Sequence, residues 1–290
     1  MTPPAPAHGS GTPVHWGMDS ATSTWWSPCR FDVGEARRWR IGPSTWVAER
    51  RAHEWRIAHV TSDDPLDDQL EIAAPVRDVD PFSGIGPTGA ARRVAFAASP
   101  AELALRPGLA DRDVVVRPAD PLTVPAGESA VLFVSTPLWI AVSTVDPPHA
   151  LFEAACFQPS DTWFGPSTVD GELCYASRTT GRLDLADVPV RPHRAITPVH
   201  IRNQAKDPLA LERLKVPVAI LPLLSGPRGL WTPRVSLTRA EGADRADVQV
   251  APEPPAEAGP VTRIAEPRRR PDASLSLRSF GRWLGLGATP

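Results

Sequence analysis

The chain has 290 residues, of which 42% are hydrophobic and 22% are charged, so one large domain or two small ones can bury a core. The formal net charge of -2 excludes a chain whose overall charge is built to neutralise nucleic acid. No apolar run reaches the about 18 residues that span a membrane, and residues 1–10 lack the features of a secretory signal. We therefore expect a cytoplasmic protein.

The first folded segment is predicted to be a strand meander over residues 37–60. Trp39 and Ile41 alternate with arginines, and Trp55 and Ile57 alternate with charged residues. This period of two is typical of half-buried strands. Glycine and proline directly after Ile41 provide the first turn.

One short helix is predicted at Ser99. Ser99 and Glu102 have the spacing of a capping box, and Pro100 would occupy the first helical position.

Short apolar runs predict further strands at residues 113–117, 122–124, 130–135, 138–145, 161–164, 172–177, 196–203, 210–216 and 234–239. The 35 prolines support this prediction, because proline is excluded from long helices and tolerated at turns and strand edges. Short strands separated by turns are typical of sandwiches and barrels. We predict an all-β, antiparallel β-sandwich, either one body or two packed sandwich units that divide near 180–194.

The composition separates this β-rich body, residues 25–250, from the two ends of the chain. Residues 1–24 contain too few apolar groups to offset the entropy of ordering, which predicts disorder. Residues 251–273 are rich in proline and alanine and indicate a linker. Residues 274–290 form a basic, amphipathic tail.

The tail is the candidate binding segment. If residues 274–287 become helical, four large apolar residues cluster on the wheel and two arginines lie elsewhere: Leu277, Phe280, Trp283, Leu284, Arg278 and Arg282. This pattern is typical of a helix that docks on a partner protein or lies on a membrane surface. Three glycines weaken the helix, so a disordered tail without a role is the third interpretation.

Four segments resemble one prokaryotic family, domain of unknown function 432. They are Trp46–Ala58, Asp113–Val142, Asp161–Ala176 and Ile196–Val216. The resemblance covers most of residues 25–240. It implies a β-rich body and supplies no catalytic residue.

No assembled catalytic motif is present, and we expect neither a metal nor a cofactor. The three cysteines are expected to be reduced, because their number and spacing fit neither a disulfide framework nor a zinc site. Trp39, Trp46 and Trp55 are interpreted as core residues, as a protein-facing patch or as a carbohydrate platform.

The leading hypothesis is a non-catalytic β-sandwich that binds another protein, with the tail tethering it to that partner or to the inner membrane face. The alternative is a small-ligand-binding protein or an enzyme with a cleft between sheets. Its polar contributors would be His53, His59, Asp161, Glu172 and His200. A carbohydrate-binding module is the third hypothesis.

Overall fold

The computed structural model describes residues 24–76, 80–83, 91–165, 169–241, 246–270, 276–277 and 280–281. Within these residues the secondary structure consists of β-strands and short 3-10 turns, without an α-helix. The all-β prediction is confirmed. The predicted disorder of residues 1–24 falls almost entirely outside the described residues.

The strands in chain order are β1 Cys29–Arg30, β2 Ala36–Ile41, β3 Ser44–Arg51, β4 Glu54–Thr61, β5 Leu70–Pro75, β6 Arg92–Ala95, β7 Glu102–Gly108, β8 Val114–Val116, β9 Leu122–Val124, β10 Ser129–Pro137, β11 Trp139–Thr144, β12 Ala150–Ala155, β13 Asp161–Phe164, β14 Glu172–Ala176, β15 Arg194–Asn203, β16 Leu209–Leu211, β17 Arg213–Val216, β18 Leu223–Gly226, β19 Gly229–Trp231, β20 Val235–Arg239, β21 Ala246–Val250, β22 Thr262–Ala265, β23 Ser276–Leu277 and β24 Phe280–Gly281. The 3-10 turns are Leu185–Asp187, Val218–Ile220 and Ala256–Ala258.

The predicted meander is confirmed as strands β2, β3 and β4, which lie at the centre of a sheet with the order β5-β2-β3-β4-β6. All pairings in this sheet are antiparallel. The turn between β2 and β3 requires a glycine, because Gly42 has φ +57 and a Cβ there would lie 2.2 Å from Nδ1 of His193.

The largest sheet has the order β22-β18-β19-β15-β20-β21-β23, and β10 pairs along the other side of β15. Nine residue pairs join β10 to β15, from Ser129 with Arg202 to Pro137 with Arg194. Strands from both sides of residues 180–194 therefore belong to one sheet, which favours the single body over two units that divide there.

Three further sheets complete the body, with the orders β1-β7-β11-β12, β13-β14-β8-β17-β24 and β16-β9. Most pairings are antiparallel, whereas β14 with β8, and β15 with β19 and β20, are parallel. One apolar core joins the sheets, since Trp39, Leu105, Val114, Val199 and Leu237 belong to a single buried cluster.

The predicted helix at Ser99 is wrong, because β7 begins at Glu102. The Ser99 hydroxyl accepts a hydrogen bond from Nε of Arg50 (3.0 Å) and donates one to the carbonyl of Arg51 (2.6 Å). The Ser99 hydroxyl is thus hydrogen-bonded to strand β3 of the meander and does not cap a helix. The chain after it pairs with β11 and β1.

The predicted linker over 251–273 is wrong for its described part, which ends at residue 270. Strand β22 pairs with β18, and Ala258 is fully buried. Arg268 donates from Nε to the carbonyl of Leu109 (2.6 Å) and forms an ion pair with Glu153. The proline-rich composition therefore belongs to a packed strand and turn and not to a spacer.

The predicted tail helix is also wrong where the tail is described. Residues 276–277 form β23 and pair with β21, and residues 280–281 form β24 and pair with β17. Leu277 and Phe280 thus belong to sheet strands. Arg278, Arg282, Trp283 and Leu284 lie outside the described residues.

Candidate functional site

The candidate site lies on one face of the β13-β14-β8-β17-β24 sheet. Successive side chains of a strand point to opposite faces. Val114 and Val116 of β8 accordingly belong to the main core, whereas Val115 between them packs in a separate small cluster with Phe164 and Cys174. The face that carries Val115 is therefore the one turned away from the main core.

A cavity of about 170 Å³ opens on this outer face. It is lined by three arginines, four hydroxyl side chains and two small apolar residues: Arg117, Arg178, Arg213, Thr162, Ser177, Thr179, Thr180, Val115 and Ala176. We call these nine residues the arginine cleft. Among the residues that the structure describes, no carboxylate lines the cleft, so all of its charged groups are positive.

The strand register places two of these arginines side by side. Leu214 of β17 pairs with Val116 of β8 in an antiparallel ladder, so the adjoining positions are Arg213 and Arg117. Like charges on neighbouring strands repel each other. Within the described ranges, neither guanidinium forms an ion pair with a carboxylate. This arrangement concentrates positive charge that no carboxylate of the described residues neutralises in an ion pair.

Neutral groups orient the arginines of the cleft. Nη2 of Arg213 donates to the carbonyl of Trp163 (3.4 Å), and its guanidinium lies 5.4 Å from the ring centre of Phe164. Nη2 of Arg178 donates to Oγ of Ser160 (3.2 Å). Hydrogen bonds and ring contacts of this kind fix a guanidinium in place and leave its charge uncompensated.

A fourth arginine lies beneath the cleft. Arg194 at the start of β15 is buried and donates from Nε to Oγ of Ser135 (2.9 Å). Its Nη2 donates to Oγ1 of Thr179 (3.0 Å) and to Oγ of Ser177 (3.4 Å), both of which line the cleft. Burial, together with the nearby charge of Arg191, lowers the pKa of Arg194 to about 9. A buried cation held only by hydroxyl and carbonyl oxygens favours a nearby anion.

The other charged group on this face is internally neutralised. The Lys215 amine is buried and lies 2.7 Å from Oε2 of Glu172 and 3.5 Å from Oδ2 of Asp113. Burial raises the pKa of Asp113, and it raises the pKa of the adjacent Cys174 thiol to about 12. Lys215 therefore differs from the arginines of the cleft, because two carboxylates already surround it.

The three tryptophans proposed as a binding face are core residues. Trp39, Trp46 and Trp55 are each at most 1% exposed. An indole that is fully buried cannot stack on a sugar or on a partner protein. The protein-facing and carbohydrate interpretations are therefore wrong for these three side chains.

The polar residues of the enzyme hypothesis do not converge. His59 stacks on Trp46 with ring centres 4.2 Å apart, and burial lowers its pKa to about 4. His53 donates from Nδ1 to the carbonyl of Ala97, at the far end of the same hairpin. His200 lies on β15, in a different sheet. Among the described residues, no group of His, Cys, Asp and Glu has the arrangement of a metal site.

The residues of the arginine cleft were not singled out from the sequence. The chain contains 29 arginines, so three of them carry little information. The run from Ser177 to Arg182, with two threonines and two arginines between strands, is a local signal that could have indicated the cleft. Its pairing with Arg117 and Arg213 depends on strand register.

The comparisons with known proteins identify a family and assign no activity. A family model described as protein of unknown function (DUF432) matches residues 25–284, which include the whole arginine cleft. Neither the search of curated proteins nor the search of solved structures found a match. In the described parts of the chain, no helix is long and apolar enough to cross a membrane. The chain belongs to the DUF432 family.

Proposed function

We propose that this protein binds an anionic ligand, through a phosphate or sulfate group, in the arginine cleft. The observation that carries the proposal is the set of three arginines around one cavity without a carboxylate among the described lining residues. Arginine presents several N–H donors in a planar fork that matches the geometry of oxyanions.

Electrostatics supports the same proposal. Arg213 and Arg117 repel each other across the strand pair, and Arg194 adds a buried positive charge behind Ser177 and Thr179. An anion in the cleft would reduce both costs. Binding to the folded state alone also stabilises a protein by mass action. We therefore expect the ligand to raise the unfolding temperature.

The lining residues favour binding over catalysis. Among them, as far as the structure describes the cleft, no histidine, carboxylate, lysine or thiol stands ready to move a proton or attack a substrate. We therefore favour a small-ligand-binding protein over an enzyme, and we assign no reaction.

Calorimetric titration with sodium sulfate at low ionic strength tests the proposal. Arg117→Gln is the most informative variant, because Arg117 is exposed and lines the cleft. Removing one charge-assisted hydrogen bond costs about 1.5–3 kcal/mol, which weakens binding about tenfold to 100-fold. Arg228→Gln removes an exposed arginine outside the cleft and is the matched control. Equal affinities of the two variants would contradict the proposal.

Protein binding is the second candidate, and an exposed apolar group on the β13–β14 hairpin supports it. Trp163 and Leu173 pair across the hairpin and are 40% and 48% exposed. Such side chains occur in the centres of protein interfaces. Leu173→Lys should abolish partner capture from native cells, whereas a chain ending at Arg270 should retain it if the body and not the tail carries the contact.

A further inference from the structure

We infer that the arginine cleft selects fully deprotonated oxyanions, such as sulfate or a dianionic phosphate monoester, over anions that still carry a proton. This inference rests on the proposed function and names its ligand class. Its basis is the hydrogen bonding in the cleft, where the arginines can only donate and the inner hydroxyls already accept hydrogen bonds from the protein.

The arginines supply donors only. A guanidinium has five N–H groups and no acceptor. Arg117, Arg178 and Arg213 can therefore bind a ligand oxygen that has a free lone pair, and they repel a ligand O–H group. All three arginines that line the cleft share this property.

The inner hydroxyls already accept hydrogen bonds from the protein. Thr179 Oγ1 donates to the carbonyl of Ser135 (2.8 Å) and accepts from Arg194. Ser177 Oγ accepts from the Thr179 amide (3.2 Å) and from Nη2 of Arg194 (3.4 Å). Because a hydroxyl has two acceptor lone pairs and one proton, Ser177 has its acceptor positions occupied. The Ser177 hydroxyl can then only donate, either to Thr179 Oγ1, which is 3.0 Å away, or to a ligand.

Arg194 is the positioning residue in this arrangement. It does not line the cleft, and it acts through Ser177 and Thr179 by occupying their acceptor lone pairs. Thr162 and Thr180 line the cleft as well and can accept as well as donate. The expected selection is therefore moderate, about tenfold and not many orders of magnitude.

The charged groups that line the cleft are all arginines, and carboxylates lie on the strands around it. Arg117, Arg178 and Arg213 face it from β8, from the loop after β14 and from β17, and Arg194 lies behind it. Three carboxylates around these strands are paired, Asp161 with Arg112, and Asp113 and Glu172 with Lys215, whereas Glu212 beside Arg213 is exposed. Burial raises the pKa of Asp113, and sulfate, which keeps its charge, reports any effect of such groups. The ratio of the methyl phosphate affinity to the sulfate affinity therefore reports the ligand.

The test compares sulfate with methyl phosphate by calorimetric titration of the full-length chain at pH 5.0 and pH 8.0. Sulfate is a dianion at both values. A phosphate monoester has its second pKa near 6, so only about one tenth of it is dianionic at pH 5.0. Because the monoanion binds about tenfold more weakly than the dianion, we expect about fivefold weaker binding of methyl phosphate at pH 5.0 than at pH 8.0, and less than a twofold change for sulfate.

Two variants separate positioning from simple structural support. The sulfate preference is the ratio of the sulfate affinity to the methyl phosphate affinity at pH 5.0, relative to the same ratio at pH 8.0. Arg194→Gln should narrow it from about fivefold to less than threefold, because the freed lone pair of Ser177 can then accept the ligand proton. If this variant does not fold, Ser177→Ala serves instead, and it should weaken sulfate binding about tenfold and narrow the same ratio.

The outcomes distinguish the two proposals. If neither anion binds, the proposed function fails. If both bind and the affinity for methyl phosphate is as independent of pH as that for sulfate, the selection inference fails while the proposed function stands. An unchanged sulfate preference in a folded Arg194→Gln variant would remove the role of Arg194.

Discussion

The buried histidine at the start of β15 should make the fold sensitive to acid. His193 is fully buried and donates from Nε2 to the carbonyl of Pro65 (3.2 Å), and among the described residues its Nδ1 has no hydrogen-bond partner. Burial, followed by the positive charge of Arg194, lowers the pKa of His193 to about 3. In the unfolded chain the ring has its ordinary pKa of about 6.5.

On acidification, the unfolded chain binds a proton at His193 before the folded protein does. Between pH 6.5 and pH 3 the unfolded chain protonates this ring and the folded protein does not, so stability falls as the pH falls. The contribution of neutral His193 is fully present above pH 6.5. Relative to pH 8, its loss amounts to about 2 kcal/mol at pH 5 and about 4 kcal/mol at pH 3.

Urea unfolding followed by tryptophan fluorescence measures this effect. The wild type and His193→Gln are compared at pH 8 and pH 5, since glutamine can still donate to Pro65 and cannot become charged. The change in unfolding free energy between the two pH values should be about 2 kcal/mol smaller in the variant. Subtraction removes the contribution of the carboxylates, and the pH 8 values measure the cost of the substitution itself. A difference below about 0.5 kcal/mol would refute the reasoning.

Two further predictions concern stability. Gly42→Ala should lower the urea midpoint far more than Gly127→Ala. Both glycines have positive φ, but only at Gly42 would an added Cβ clash, 2.2 Å from His193. Equal losses would show that backbone strain alone, and not the clash, sets the effect. Lys215→Met should destabilise the fold by about 3–5 kcal/mol, because it leaves the largely buried carboxylate of Asp113 without its cation. The matched variant Lys206→Met removes an exposed ion pair, and its free energy of unfolding should change by less than about 1 kcal/mol. Similar changes in the free energy of unfolding for the two lysine variants would contradict this prediction.

Strands were predictable where the signal is local. The alternation of Trp39 and Ile41 with arginines reflects the same period of two that the sheet imposes, so the meander and its turn at Gly42 followed directly. The capping pattern at Ser99 was equally local, but it predicted a helix wrongly, because the distant Arg50 donates a hydrogen bond to the Ser99 hydroxyl. Local patterns succeed only when the tertiary contacts agree with them.

The site was not predictable for a different reason. Arg117 and Arg213 are 96 positions apart by their numbers and become neighbours only through the register of β8 and β17. Arg194 acquires its role by burial beneath Ser177 and Thr179. Neither register nor burial depth can be obtained from composition. The proline-rich segment before residue 270 illustrates the same limit, since its pairing with β18 is a long-range contact.

The position of β15 has a consequence for how the chain reaches its folded state. Both edges of this strand are occupied, by β10 on one side and by β19 and β20 on the other. During synthesis, β10 lacks its partner until Asn203 has left the ribosome, and β15 in turn awaits Val235–Arg239. Sheets that depend on such distant pairings fold slowly. Nascent chains that end before residue 203 should therefore present an unpaired β10 edge, which makes them candidates for chaperone capture and for proteolysis.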